Sequence, residues 1–138
     1  MVNNKSDELN AEIQKLVEFY GRNIVSGRSR KVRLIGRKCS PKILRSFLGY
    51  EIQAGRKRIT CPDMVTARYL KIFAEIGVQE ILIPYDPTRT SIALPCLEKH
   101  FEKILAWIDR NVPPEKKKAA LRAAFRKIRT VLSKRSSV

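Results

Sequence analysis

The residues of this sequence whose types and spacing most clearly suggest a function are the lysines and arginines. Lysine and arginine number 29 against 13 aspartates and glutamates, so the 138 residues carry a formal net charge of +16. Eleven cations fall between residues 28 and 58, where Glu51 is the only acid: Arg28, Arg30, Lys31, Arg33, Arg37, Lys38, Lys42, Arg45, Arg56, Lys57 and Arg58. Charges of one sign repel one another, and a row of phosphates relieves that repulsion. The pattern predicts a polyanion-binding segment; the alternative is a solvated face that only promotes solubility.

A second group of cations lies near the end of the chain at helical spacing. Four basic residues recur at steps of four, four and three and therefore share one side of a helix: Lys118, Arg122, Arg126 and Arg129. The opposite side is apolar and holds Leu121, Ala124, Phe125, Ile128 and Leu132. Like charges at this spacing destabilise an isolated helix by about 0.2–0.5 kcal/mol per pair. We predict a helix over residues 115–133 that docks its apolar side and binds anions with its basic side.

Two other interpretations of this last helix stay open. Basic amphipathic helices also lie on anionic lipid surfaces. Here the apolar side contains alanines and no tryptophan, which limits how deeply it would insert. The helix could also dock on the core and leave its cations solvated, without any ligand.

Patterns typical of metal sites are weak in this sequence. Cys96 and His100 lie four residues apart, a spacing that can hold a metal ion on one helix. The remaining ligands would have to be the distant Cys39 and Cys61, and no CxxC pair occurs. An odd, sparse set of cysteines does not indicate a disulfide framework either. We therefore predict three free thiols, no bound metal and no cofactor.

Carboxylates that could serve in catalysis have simpler explanations. Asp63 fits a helix cap and Asp86 a turn before Pro87, while Glu51, Glu75 and Glu80 belong to no motif. The sequence contains neither a GxxxxGK[ST] loop nor a GxSxG nucleophile motif. We predict no catalytic residues and favour a protein that is not an enzyme. A metal-dependent nuclease stays open, because such sites assemble in space from residues far apart in sequence.

Three aromatic residues near the basic segment could stack on nucleobases: Phe47, Tyr50 and Tyr69. Each also fits an apolar stripe, and we predict that all three belong to the core. No RNP-type aromatic string and no zinc-finger spacing is present. The sequence therefore predicts nucleic-acid binding without distinguishing DNA from RNA.

The elements that position these residues follow from hydrophobic periodicity and end signals. Five helices are predicted, over residues 7–20, 40–48, 60–76, 95–110 and 115–133. The predicted strands are residues 31–37, with a basic outer side, a hairpin over 50–60 that turns at 54–57, the apolar segment 80–85, and a short edge strand at 91–94. The helix before the hairpin could alternatively run on to Ala54.

These elements predict an α+β fold in one compact domain spanning residues 1–138, with fraying at 1–5 and 134–138. The apolar fraction of 43% is enough for a core, and helices and strands do not alternate as in a doubly wound fold. No apolar run is long enough to cross a membrane. The first residues, MVNNKSDELN, lack the layout of a secretory signal, which predicts a cytoplasmic protein.

One segment resembles a known family. Residues 49–84, with Thr60-Cys61-Pro62, Ala67, Leu70 and the strand Ile81-Leu82-Ile83-Pro84, resemble the small β-rich domain of GINS replication subunits. The likeness covers about a quarter of the chain. It implies a subunit of a larger nucleoprotein assembly with a helical C-terminal part. The leading helix and the strong positive charge depart from that family.

The leading hypothesis from the sequence is a small protein that grips the phosphate backbone of DNA or RNA through two basic surfaces. Base readout is not evident, so we expect little sequence preference. The alternatives are an interaction subunit of a nucleoprotein assembly, GINS-like and bound to acidic proteins or RNA, and a metal-dependent nuclease. A homodimer is compatible with the apolar stripe of the first helix, although no residue requires it.

Overall fold

The structure, a computed structural model, describes residues 4–25 and 28–136, and the side chains of residues 7–24 and 28–134. Within these ranges the chain forms one compact α+β domain, as predicted. The helices are α1 (Asn4–Val25), α2 (Met64–Ile76), α3 (Pro87–Asn111) and α4 (Lys117–Ser136), with a 3₁₀ turn at Pro114–Lys116. The strands are β1 (Ser29–Arg33), β2 (Lys42–Ser46), β3 (Gly49–Ala54), β4 (Lys57–Cys61) and β5 (Glu80–Pro84). Four helices stand where about five were expected.

The strands form two small antiparallel sheets rather than one. β1 pairs with β5, and β2, β3 and β4 form a three-stranded meander. In the meander Ile43, Ile52 and Ile59 lie side by side and face the core, so the alternate residues of each strand face outward. The predicted hairpin is confirmed, because β3 and β4 are joined at Gly55 and Arg56.

The core lies between the helices and the inner faces of both sheets. α1 packs mainly against α3, and its predicted stripe is buried at Ile13, Leu16, Val17 and Tyr20. Leu82 in β5 donates its N–H to the Tyr20 hydroxyl at 3.1 Å and accepts from the Tyr69 hydroxyl at 2.7 Å. These two bonds satisfy the backbone of Leu82 on the side of β5 away from β1. The stripe that suggested a homodimer is thus buried within the chain.

The predicted helix over residues 40–48 is wrong, because this segment is strand β2. Ile43 pairs with Ile52 and points inward, while Lys42 and Leu44 are exposed. The apolar residues at 43, 44 and 48 follow neither period clearly over so short a segment, so spacing alone could not separate helix from strand. Pairing with β3 decides the outcome, and the turn closes at Gly49, whose φ of 128° is unfavourable for residues with a side chain.

The predicted edge strand at 91–94 and the helix start at Pro95 are also wrong, because α3 begins at Pro87. Asp86 caps this helix by accepting the N–H of Thr88 at 2.9 Å, and Pro87 occupies the first turn, which tolerates proline. Pro95 lies inside the helix. A proline by itself resembles a helix start, but the Asp-Pro pair eight residues earlier is the stronger signal.

Other boundaries differ by a few residues. α1 continues through Gly21 to Val25, so the predicted loop at 22–30 is shorter, and residues 26 and 27 lie outside the described chain. β1 covers 29–33 rather than 31–37, and α4 covers 117–136 rather than 115–133. The predicted frayed ends include residues 1–3, 137 and 138, which also lie outside the described residues.

Gly77 ends α2 as predicted and also admits a neighbouring chain segment. Its φ is 93°, and its N–H bonds to the carbonyls of Phe73 and Ala74. A Cβ built at this position would lie 2.5 Å from the Lys38 nitrogen and 2.6 Å from the Arg37 carbonyl carbon. The connection between β1 and β2 therefore passes against the end of α2 at a distance that only glycine allows.

Replacing Gly77 by alanine is expected to lower the free energy of unfolding by more than the about 1–3 kcal/mol that backbone strain alone costs. Gly36→Ala is the matched control: its φ is 85°, but its Cβ would meet Gln79 at 3.4 Å, an ordinary contact. Urea unfolding of both variants measures the difference. Equal losses would show that the β1–β2 connection does not press on Gly77.

Candidate nucleic-acid interface

The eleven cations of residues 28–58 all lie at the surface of the strand-rich side, which we call the basic β-side. Arg28, Arg30, Lys31 and Arg33 lie on or beside β1, and Arg37 and Lys38 lie in the β1–β2 connection. Lys42 and Arg45 project from β2, Arg56 lies in the hairpin turn, and Lys57 and Arg58 begin β4. Nine are exposed, while Arg30 and Lys57 are half-buried. Alternation places Lys31, Arg33, Lys42 and Arg58 on the outward faces of their strands, whereas Arg30, Arg45 and Lys57 lie near strand ends on the inward faces.

The outer face of the meander carries a cross-strand row of polar groups. Lys42 in β2 and Arg58 in β4 both pair with Gln53 of the central strand. Two strand spacings separate the cations by about 9–10 Å. Glu51, the only acid of the basic segment, lies two residues along the same face between Leu44 and Thr60. The face is therefore positive at one end and partly neutralised at the other.

Two parts of the basic segment meet at the hairpin turn. A Cβ built at Gly55 would lie 3.1 Å from Cδ1 of Ile35, so the β1–β2 connection packs against the turn that carries Arg56. Farther along, the thiol of Cys39 donates to the Ala74 carbonyl at 3.2 Å and fastens the same connection to α2. Residues that are 20 apart in sequence thus contribute cations to one surface.

The basic side of α4 divides into two parts. Lys118, Arg122 and Arg126 are exposed, while Arg129 is half-buried and donates from Nη1 to the Ile76 carbonyl at 2.8 Å. A guanidinium at the C-terminus of a helix interacts favourably with its dipole, so Arg129 stabilises the end of α2. Lys118 lies about 16 Å along the helix from Arg129.

Arg129 also brings α4 to the basic β-side. It lines an open groove of about 480 Å³ together with Lys31 of β1, Glu80 of β5 and Gly77. The apolar side of α4 is buried as predicted at Ala124, Phe125, Ile128 and Leu132. The two basic surfaces inferred from the sequence therefore approach each other at this groove, with Glu80 as the acid between them.

Arg129 should behave differently from its neighbours when replaced, because it is the one of the four predicted α4 cations whose side chain bonds to another described residue. Arg129→Ala is expected to lower the free energy of unfolding by about 1 kcal/mol, because it removes a bond to a backbone carbonyl. Arg122→Ala, an exposed position on the same helix, should leave it unchanged. Thermal unfolding of the two variants gives the comparison. Identical curves would contradict a stabilising role for Arg129.

Ion pairs lie on the helical side of the molecule. Glu12 in α1 bonds to His100 in α3, Arg68 in α2 pairs with Glu98 in α3, and Lys117 pairs with Asp109 at 2.6 Å. The side chains of fourteen of the fifteen predicted cations, all except Arg129, take part in no hydrogen bond or ion pair with the described residues. Among the described residues, the lysines and arginines with acidic partners are thus all helical, and the basic β-side has no ion pair: the paired residues are Arg22, Arg68, Lys103 and Lys117.

The three aromatic candidates have different environments. Tyr69 is fully buried, as predicted, and burial raises its pKa well above the usual value. Tyr50 is half-buried beside the core. Phe47 contradicts the prediction: it is fully exposed in the two-residue turn between β2 and β3, beside Leu48, which is 76% exposed. The sequence signal for this exposure is a Phe-Leu pair directly before a glycine that closes a hairpin.

The titratable groups that could suggest a metal site have structural roles. Nδ1 of His100 lies 2.6 Å from Oε2 of Glu12, and its ring stacks on Phe19 at 5.5 Å. His100 is buried. Among the described residues no three histidine, cysteine, aspartate or glutamate side chains are placed to share a metal ion.

The three thiols are free in the described structure. Burial raises the pKa of Cys61 to about 11, against a smaller lowering by Arg30. Burial also raises the pKa of Cys39. Burial raises the pKa of Glu75 as well, although Lys71 and Lys38 oppose the shift. Each shift follows from packing of the β1–β2 connection and the meander against α2.

No helix in the described part of the chain combines the length and apolar character needed to span a membrane.

Comparison of the chain with protein families, with curated proteins and with solved structures finds no match. The resemblance to GINS subunits therefore has no family-level support. What the fold and the surface define is a class: a small α+β domain whose ion pairs lie on its helices and whose basic β-side has no ion pair among the described residues.

Proposed function

We propose that this protein binds nucleic acid in the cytoplasm by gripping the phosphate backbone, with little sequence preference. The observation that carries the proposal is the separation of charge described above: fourteen surface cations have no partner among the described residues, while the ion pairs lie elsewhere. Leaving like charges together destabilises a folded chain, and a polyanion offsets that cost. Phosphate contacts release counterions and supply most of the sequence-independent affinity.

The shape of the surface also favours an extended anion. The hairpin turn, the outer face of the meander and the β1–β2 connection are contiguous, and the groove beside Arg129 connects them towards α4. The exposed side chains of this surface are mainly lysines and arginines, and their attraction to phosphates does not depend on the base sequence. Such a surface positions a backbone without specifying a sequence.

Binding titrations with duplex DNA, single-stranded DNA and RNA of equal phosphate number test the proposal. We expect binding to all three, with affinities that change little when the sequence is scrambled. Addition of Mg²⁺ or Mn²⁺ should leave the oligonucleotides intact, and cleavage would favour the nuclease alternative.

Two competitors separate the remaining candidates. Poly-glutamate should displace the nucleic acid only weakly, because flexible carboxylates do not reproduce a regular row of phosphates. Anionic vesicles should compete poorly as well. Tight binding to poly-glutamate with no binding to any oligonucleotide would contradict the proposal and favour an interaction subunit with acidic protein partners.

A further inference from the structure

The β2–β3 turn presents large apolar side chains where turns ordinarily carry small or polar ones. Phe47 is fully exposed, Leu48 is 76% exposed, and Leu44 on β2 is 39% exposed. Glycine, asparagine, aspartate, proline and serine dominate tight turns for conformational reasons. Scattered exposed leucines need no explanation, but two adjacent large residues at a projecting tip do. We call Phe47 and Leu48 the apolar tip.

The backbone below the apolar tip is held firmly. Ser46 pairs with Gly49 to close the turn, and a Cβ at Gly49 would lie 2.9 Å from the Cys61 carbonyl oxygen and 3.1 Å from that of Pro62. The tip therefore projects from a packed base, and its position is set by β4. A side chain presented in this way loses little conformational freedom when it binds a flat partner.

The charges around the apolar tip are mostly positive. Arg45 is exposed two residues before Phe47, and Lys42 is exposed farther down the same strand on its opposite face. Of the nearby acids, Asp63 accepts the Thr66 N–H at 2.7 Å to cap α2, and Glu51 is half-buried on the outer face. An aromatic ring next to unpaired cations matches a ligand that alternates flat rings with phosphates.

We propose that the apolar tip stacks on unpaired bases of single-stranded nucleic acid while Arg45 contacts its phosphates. The inference rests on the nucleic-acid binding proposed above and adds the substrate class. A single strand offers its base faces freely, whereas a duplex must first be unstacked at a cost of a few kcal/mol per step. One phenylalanine buries about 150–250 Å², far less than the roughly 800 Å² per partner of a stable protein interface. The contact area of the apolar tip therefore matches a stacked base and is too small for a stable protein interface.

The test compares the full chain and its Phe47→Ala variant on three 15-mers with equal phosphate number: oligo(dT), oligo(U) and an abasic deoxyribose strand. Phe47→Ala should weaken binding to oligo(dT) and oligo(U) by about 5- to 150-fold, the range for one stacked base. It should leave the abasic strand unaffected and the salt dependence unchanged, because no charge is removed.

Two further variants control the measurement. Ile92→Ala truncates another exposed apolar residue, 73% exposed on α3, and should bind like the parent. Phe47→Trp should keep the affinity, and its added indole fluorescence should be quenched by oligo(dT) but not by the abasic strand. Circular dichroism of each variant confirms the fold.

Three results would overturn the stacking inference, and each can be distinguished from a failure of the proposed phosphate binding. In the first, Phe47→Ala binds oligo(dT) as tightly as the parent chain. In the second, its affinity for the abasic strand falls as much as its affinity for oligo(dT). Both results exclude stacking by Phe47 and are compatible with phosphate binding. Phe47-dependent binding to phosphatidylserine vesicles that excess oligo(dT) does not displace would identify a membrane contact instead. Failure of the parent chain to bind any strand would contradict the proposed function itself.

Discussion

Replacing Phe125 by alanine lowers the free energy of unfolding by about 3–5 kcal/mol, the usual loss for a buried phenylalanine. The ring is 1% exposed and stacks on Phe101 with centroids 6.1 Å apart, so it joins α4 to α3. Truncation removes apolar burial and leaves a cavity that neighbouring helices close only partly. A loss of this size is a large part of the stability of a small domain. Urea unfolding followed by circular dichroism measures it.

The control for this variant lies next to it in the sequence. Arg126→Ala changes an exposed residue of the same helix and should leave the unfolding free energy unchanged. Phe125→Leu, which keeps much of the buried volume, should lose less than Phe125→Ala. A loss below about 1 kcal/mol for Phe125→Ala would contradict the docking of α4 through this ring.

The triple variant Arg56→Ala, Lys57→Ala and Arg58→Ala is expected to weaken nucleic-acid binding without lowering the melting temperature. None of the three side chains has a hydrogen bond or ion pair with the described residues, and all carry the same charge. Removing them relieves repulsion, so stability stays level or rises. If each contacts a phosphate, the slope of log K against log salt falls in magnitude by up to about one per residue.

A matched triple variant distinguishes binding at the basic β-side from attraction by the total charge of the protein. Lys15, Lys99 and Arg110 are exposed cations of α1 and α3 that are also unpaired among the described residues. Their replacement by alanine removes the same net charge from the helical side and should change the slope little. Equal effects of the two triple variants would show that total charge, not the basic β-side, determines binding. Loss of fold in the hairpin variant would show that its cations are structural.

Much of the fold could be predicted wherever two independent signals agree. α2 is marked by the Asp63 cap and by Gly77, and its apolar stripe is buried as expected. The hairpin of β3 and β4 combines alternation with a turn glycine at Gly55, whose φ is 62°. The α+β class follows from these elements. In each case the local sequence signals and the tertiary structure favour the same element.

The errors occur where local signals are compatible with two structures. β2 is five residues long, and its pairing with β3, a tertiary interaction, decides against a helix. Pro95 is a helix-start signal taken alone, yet it lies within α3 because Asp86 and Pro87 begin that helix earlier. Gly21 lies inside α1 for a similar reason: packing against α3 continues beyond it. Propensity is a weak prior when burial favours continuation.

The candidate site was predictable in its residues but not in its arrangement. Net charge and helical spacing identify the cations from the sequence, because Glu51 is the only acid between residues 28 and 58. Neither the contact of Ile35 with Gly55 nor the bond from Arg129 to Ile76 has a sequence signal, since both depend on long-range packing. The exposure of Phe47 follows from the pairing of β2 with β3, whereas a helix over the same residues would have placed its ring in the core.

The salt dependence of binding to duplex DNA tests the central claim most directly. If the unpaired cations contact phosphates, log K falls linearly with log salt, with a slope near −0.9 for each phosphate contacted. With a surface of this size we expect a slope of several units between about 50 and 200 mM salt. An affinity that does not change over this range would contradict phosphate binding by the basic β-side.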